Sequence, residues 1–251
     1  MPGARGFTLI EIALAVFILG LVVASMLVPL HTQVEQRQTR EMQRQLEEIR
    51  EALVGFALTK GYLPCPDRTS GGAGTANDTA NDGVEDFLGT GACSIVAGSN
   101  PNFFSMGNVP WVTLGIGRQD AWGNRFRYIV LSGFAQRSPM ASVTLSNNDN
   151  RGDLRVCATT ACVSTDTLST TAVAIILSHG SNGYGAVNSA NVTNAASPST
   201  DEVTNTTSTR DFVSRPRFTG GVDTSEFDDI VVWLSRYTLF NRMTGAGSLA
   251  P

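Results

Sequence analysis

Residues 7–30 read Phe7-Thr8-Leu9-Ile10-Glu11 followed by IALAVFILGLVVASMLVPL to Leu30, a run with one charge, at Glu11. As a helix rising about 1.5 Å per residue, this run extends roughly 36 Å, enough to cross a hydrocarbon core of about 30 Å. Only MPGARG precedes it, with Arg5 as the cation. A removable secretory signal has a shorter apolar core and a small-residue cleavage site after it. Here a charged helical pattern follows, so the segment reads as a retained anchor. Arg5 keeps the N-terminus cytoplasmic by the positive-inside rule, which sends the rest of the chain across the membrane.

Glu11 is the anomaly in this run. A carboxylate within a membrane span costs about 2–3 kcal/mol or more without a partner. One reading leaves the acid close enough to the interface to stay wet. The other requires a cation at the same depth from outside the helix. Cleavage between Gly6 and Phe7 would create one, the new α-amino group of Phe7, able to meet Glu11 of a neighbouring copy.

The junction Gly6-Phe7-Thr8-Leu9-Ile10-Glu11 resembles the class III leader junction of type IV pilins and type II secretion pseudopilins. The resemblance implies that prepilin peptidase cuts after Gly6 and that Phe7 is N-methylated. It implies that Glu11 pairs with the Phe7 amine of an adjacent subunit during assembly. Pro29 falls one residue from where such helices carry a kink-forming proline, which removes a helical hydrogen bond. Asp120-Ala121-Trp122-Gly123-Asn124-Arg125-Phe126-Arg127-Tyr128 is similar to the D-P-W-G-N-x-Y-x-Y segment of major pseudopilins, with Ala121 for proline and Phe126 for the first tyrosine. The resemblance covers about 60 N-terminal residues and some 20 of the head. A head larger than a simple pseudopilin requires points to a minor subunit.

Beyond the anchor, from His31 to about Lys60, Met42, Leu46, Ile49, Leu53 and Phe56 recur at helical steps and mark one apolar stripe. Arg37–Glu41 and Arg44–Glu48 are i,i+4 pairs on the wet face. Gly61 and Pro64 supply the stop. From residue 61 to 251 strand patterns take over: Val109–Leu114, Arg125–Leu131, Leu154–Ala158, Ala172–Ser178 and Asp229–Leu234. Arg125 to Ile129 alternates polar and apolar like a half-exposed strand, whereas Ala172–Leu177 is continuously apolar like a central one. Tyr237–Met243 is a short helix or an edge strand. The expected fold is α+β and pilin-like: leader 1–6, filament-core span 7–30, amphipathic helix 31–60 packed on an antiparallel sheet, and a β-rich head 61–251.

Four cysteines, Cys65, Cys93, Cys157 and Cys162, lack C-x-x-C spacing, and only His31 and His179 could join them, which disfavours zinc. Outside the cytosol they read as two disulfides, with three connectivities open. Cys65–Cys93 with Cys157–Cys162 is favoured, because the second pair brackets a short turn. A charged fraction of 16% and a net charge of −4 give no basic field for coating nucleic acid.

Two polar stretches interrupt the head, 69–86 and 188–210, the latter read as an exposed, mobile loop. Asp67, Asp78, Asp82, Glu85 and Asp86 cluster around a glycine turn, and Asp67, Asp82, Glu85 and Asp86 are candidate calcium ligands, although the EF-hand register is absent. Asn147–Asp153 is a weaker candidate. Major pseudopilins bind calcium in a head loop, but their ligand positions do not map onto this sequence. His179 in Ser178-His179-Gly180-Ser181 offers a possible general base, with a structural histidine at a strand end the favoured reading.

No catalytic constellation stands out, so a non-enzymatic structural subunit is expected. It would sit in the bacterial inner membrane with a periplasmic head and then enter a pilus or pseudopilus. Its partners would be other subunits, prepilin peptidase and the inner-membrane assembly platform. A pilus-borne adhesin or DNA-uptake module, or a membrane-tethered periplasmic enzyme, are the alternatives.

Overall fold

The computed structural model describes residues 8–68, 80–88, 91–93, 104–137, 154–207, 209–220 and 223–248, without the side chains of 23–33 and 35. Contacts divide the chain into two compact units, Met1–Glu41 and Met42–Pro251. The first unit holds the opening of helix α1, which runs Leu9–Lys60. Among the described residues, no helix is long and apolar enough to cross a membrane. Phe7 and the side chains of 23–30, on which the 7–30 span and the Pro29 kink depend, lie outside the described residues.

The second unit is built on the apolar stripe that the sequence marks. Met42, Leu46 and Leu53 are completely buried and Ile49 nearly so, all within the core. Phe56 turns aside, half-buried, and meets Tyr62 edge to face at 5.5 Å. Val54 and Ala57 widen the stripe beyond the heptad-like positions. The helix stops where expected: Gly61 takes φ +80° and its N–H donates to the Ala57 carbonyl at 2.8 Å. On the wet face Arg44 meets Glu48 at 3.7 Å, an exposed pair of little energetic weight.

The sheet has six strands: β1 Phe104–Asn108, β2 Arg127–Leu131, β3 Leu154–Cys157, β4 Thr167–Ser178, β5 Asp211–Val213 and β6 Ile230–Ser235. Its path is β1-β2-β4-β3-β5, with β6 also paired to β4. The continuously apolar run is the hub. Ala172–Leu177 is wholly buried, with β2 in register from Arg127↔Leu177 to Val130↔Ala174 and β6 from Ser178↔Ile230 back to Ala172↔Ser235. The first half of β4 pairs with β3. Every ladder is antiparallel except β3–β5, which is parallel with Arg155 opposite Asp211. The entirely antiparallel expectation is corrected there: the segment between the two strands is long enough for a crossover.

Three local expectations also change. The stretch Val109–Leu114 is not a strand. Strand β1 ends at Asn108, and Pro110, which cannot donate to a ladder, leads into the short helix α2, Trp111–Leu114. Arg125 is not a wet strand residue: it is 1% exposed, its guanidinium 4.4 Å over the Trp111 ring, where a delocalised cation stacks on an aromatic face. The 188–210 stretch is no simple loop, because Thr200–Thr206 forms helix α3 with Glu202 and Asn205 buried. Tyr237–Met243 falls in helix α4, Arg236–Gly245, whose N-cap Ser235 accepts the Tyr237 N–H at 3.3 Å.

Both favoured disulfides form, Cys65–Cys93 and Cys157–Cys162, with Cα separations of 5.3 and 5.2 Å. The first ties the segment after α1 to residues beyond the acidic stretch and closes a loop of 28 residues. Chain entropy gives it about 3–4 kcal/mol and the shorter one about 2 kcal/mol. Two predictions follow from this core. Leu53→Ala empties a fully buried site and lowers unfolding free energy by about 2–5 kcal/mol in denaturant titration, whereas exposed Glu48→Ala changes it by less than about 0.5. Replacing Cys65 and Cys93 together by alanine lowers stability more than replacing Cys157 and Cys162, read by the same titration.

Candidate functional site

At its first turn, α1 carries a capping box. Thr8 N–H donates to Glu11 Oε2 at 2.8 Å, Thr8 Oγ1 donates to the same oxygen at 2.7 Å, and the Glu11 N–H points back to Thr8 Oγ1 at 3.4 Å. The Thr8 carbonyl accepts from Glu11 and Ile12 N–H at 3.1 and 3.3 Å, which starts the helix. The T-x-x-E spacing was the available signal for Thr8, and sequence reading alone had assigned Glu11 without it. The hydroxyl and amide fix the carboxylate against the helix start, so the acid projects at a defined height and rotation.

Around that acid the helix is apolar on every side and bare: Leu9 is 88% exposed, and Ile10, Leu14, Phe17, Ile18 and Leu21 all exceed half. A helix apolar all round belongs in lipid or among other apolar helices. Gly6 and Phe7, the expected processing site and the expected source of the partner cation, lie outside the described residues.

In the head, described residues of the acidic stretch gather around one turn. Asp67, completely buried, accepts the Asn81 N–H through Oδ1 at 3.0 Å and the Gly83 N–H through Oδ2 at 2.9 Å. Asp82 Oδ1 accepts the Val84 N–H at 2.8 Å, an Asx turn. Glu85 pairs with Arg137 at 2.8 Å and accepts the Cys65 N–H at 3.3 Å, while Asp86 accepts the Arg68 N–H at 2.8 Å. These carboxylates serve as caps for the backbone of a tight turn. Gly83, at φ +83°, is obligatory in it, since an added Cβ would lie 2.2 Å from the Trp111 ring. Asp78 and the 147–153 stretch lie outside the described residues. The pseudopilin-like turn is likewise held by a carboxylate: Asp120 Oδ1 accepts from Trp122 and Asn124 N–H, and Gly123 takes φ +83°. Trp122 packs half-buried against the core.

His179 is completely buried at the end of β4, its Nδ1 3.5 Å from Asp229 Oδ1. Its ring is closed off from solvent. Asp229 in turn converges with Glu202 and Asp228, a cluster that sequence reading missed because Glu202 lies on the unexpected α3.

Residues 1–27 match the family model of the prokaryotic N-terminal methylation motif. This segment is a type IV pilin/pseudopilin leader. No curated protein and no solved structure matches the chain. A leader of this kind supports a pilin- or pseudopilin-like substrate of prepilin peptidase and implies pilin subunits as a general class of partner. The Thr8–Glu11 capping box therefore lies inside the recognised motif, directly beyond the expected cut.

Burial pushes the Asp67 carboxyl up to about 7, with the charges of Asp86 and Asp82 adding to the rise and the Gly83 and Asn81 N–H groups opposing it. A carboxyl raised in the folded state contributes stability that is full below about pH 4 and lost as pH climbs through about 7. Stability thus declines across that window, and the decline shrinks in Asp67→Asn. Thermal unfolding of both proteins from pH 4 to 8 checks this, parallel curves being the contrary result.

Proposed function

We propose that the chain is a structural subunit, of the minor pilin or pseudopilin kind, in a type IV pilus or type II secretion pseudopilus. The observation that carries this reading is Glu11, the one charge of an apolar segment, held by Thr8 within a segment that matches the methylation motif. In this reading prepilin peptidase cuts after Gly6. Residues 7–30 cross the inner membrane and then form filament core, and the 61–251 head stands in the periplasm.

The mechanism is electrostatic. Cleavage converts an amide into an α-amino group on Phe7, at the depth where a neighbouring subunit presents Glu11. In a medium of low dielectric, an unpaired carboxylate is expensive and an ion pair is strongly favoured over it, so pairing biases a free subunit toward the growing end. Thr8 supports this as a positioning residue: it donates two hydrogen bonds to one carboxylate oxygen and limits the rotamers from which the acid searches. No chemistry by the chain itself is required, and the bare apolar sides of the helix supply the packing surface.

Glu11→Ala is expected to leave membrane insertion intact and to reduce incorporation into sheared filaments at least about tenfold, given a pair worth more than 1.4 kcal/mol. Thr8→Val, which keeps shape and removes the hydroxyl, is expected to give an intermediate defect, and Thr8→Ser to restore incorporation. Unchanged incorporation of Glu11→Ala would count decisively against the pairing.

A further inference from the structure

Arg125 is a cation that the fold buries beside a neutral partner. It is 1% exposed, with its guanidinium stacked on Trp111, and its Nη2 donates to Asn191 Oδ1 at 2.8 Å. Its Nε and Nη1 are buried with no acceptor among the described residues. Asp67, a carboxylate whose charge acts on it, spends its two oxygens on the Asn81 and Gly83 N–H groups. A second guanidinium stands by the same ring: Arg118 lies 6.0 Å from the Trp111 centroid, and its Nη2 donates to the Ser189 carbonyl at 3.3 Å. Burial, and after it the charge of Arg118, pull the Arg125 pKa down, so the two cations oppose each other.

Both arginines therefore reach one turn, 188–192. Asn188 holds it closed, its N–H donating to the Val192 carbonyl at 2.9 Å and its Oδ1 accepting the Ala190 and Val192 N–H groups. Asn191 sits in it at φ +62°, exposed, as are Ser189, Ala190 and Val192. A guanidinium presents two forks, Nε with Nη2 and Nη1 with Nη2, each matched to the two oxygens of a carboxylate. Asn191 supplies one oxygen to the nitrogen that both forks share, which leaves either fork half-filled. Buried donors ordinarily have acceptors, so the place beside Nη2 is one oxygen short.

We propose that Arg125 and Arg118, beside Trp111, form a binding site for a carboxylate borne on an apolar group, with Asn191 Oδ1 standing in for one of its oxygens. A carboxylate fills a whole fork of Arg125 where the amide fills half, and it brings the negative charge that two neighbouring guanidinium groups lack. Stacking on Trp111 holds the Arg125 plane in place, so the fork is set before the anion arrives. Entry asks only the exposed Asn191 side chain to swing aside, and the core stays as it is. Val112 and Val192, chain neighbours of Trp111 and Asn191, are exposed and offer apolar contact to the group that carries the carboxylate. A free short-chain acid and the C-terminus of a polypeptide both present this chemistry.

The test uses the full chain, purified in detergent with isotope-labelled tryptophan and arginine, at constant ionic strength. Butyrate is expected to shift the Trp111 indole N–H and Arg125 Nε–H NMR signals saturably, and butyramide, its neutral counterpart, to leave them in place. Acetyl-alanyl-valine with a free carboxylate represents the polypeptide source, and the tighter binder of it and butyrate tells which source the site favours. Arg118→Gln and Arg125→Lys, which keeps the charge and loses the fork, are each expected to weaken binding at least about tenfold. Asn191→Gly keeps the left-handed backbone and removes the competing oxygen, so it is expected to tighten binding at least about threefold. Asn191→Asp supplies the carboxylate from within and is expected to raise Tm and abolish butyrate binding. The absence of a saturable shift, equal shifts with butyramide, or undiminished binding by Asn191→Asp overturns the proposal. Where Arg125→Lys fails to fold, the two variants at exposed Asn191 decide.

Discussion

A single carboxylate in the otherwise apolar first turns of α1 is the constraint from which the reading of the N-terminal segment follows. An exposed apolar surface is costly in water and an unpaired acid is costly in an apolar medium, so both features call for packing partners. Thr8 meets part of the demand by hydrogen bonding, which orients the charge without neutralising it. Neutralisation requires a cation, and processing of the recognised leader is the chemical event that can supply one at the same depth. In the proposed function, maturation and assembly are both read from this one electrostatic deficit.

The head shows the same economy on a different scale. Carboxylates are used as connectors: Asp67, Asp82 and Asp86 cap backbone N–H groups around one turn, Asp120 caps another, and Asp228 and Glu202 hold the segments that flank β6. A chain rich in glycine, serine and asparagine gains little from side-chain burial in such segments, so directed hydrogen bonds and two disulfides take over the role of fixing them. The apolar core is centred on the stripe from Met42 to Ala57, the sheet and α4, with Leu63, Cys65, Cys93, Val109, Phe126 and Phe134 joining from the connections.

What the sequence disclosed depended on how local the signal was. The helix from 31 to 60, its stop at Gly61 and the central strand at Ala172 were legible because period and turn chemistry reside in adjacent residues. The methylation motif was legible because its offsets are fixed within six positions. Strand β1 was missed and α2 misread because Val109 and Trp111–Leu114 look strand-like until Pro110 is allowed to end the ladder. Helix α3 hides in a serine- and threonine-rich stretch: Ser199-x-x-Glu202 has capping-box spacing, yet Glu202 turns inward to the carboxylate cluster. The parallel β3–β5 pair and the burial of Arg125 over Trp111 arise from contacts between distant segments that no local pattern encodes.

The most direct test of the central claim is the intact mass and N-terminal fragmentation of the polypeptide recovered from its native membrane. The account predicts a chain that begins at Phe7, with a methyl group on its amine and six residues fewer than the gene product. A chain that still carries Met1 to Gly6 would leave Glu11 without its cation and contradict the account.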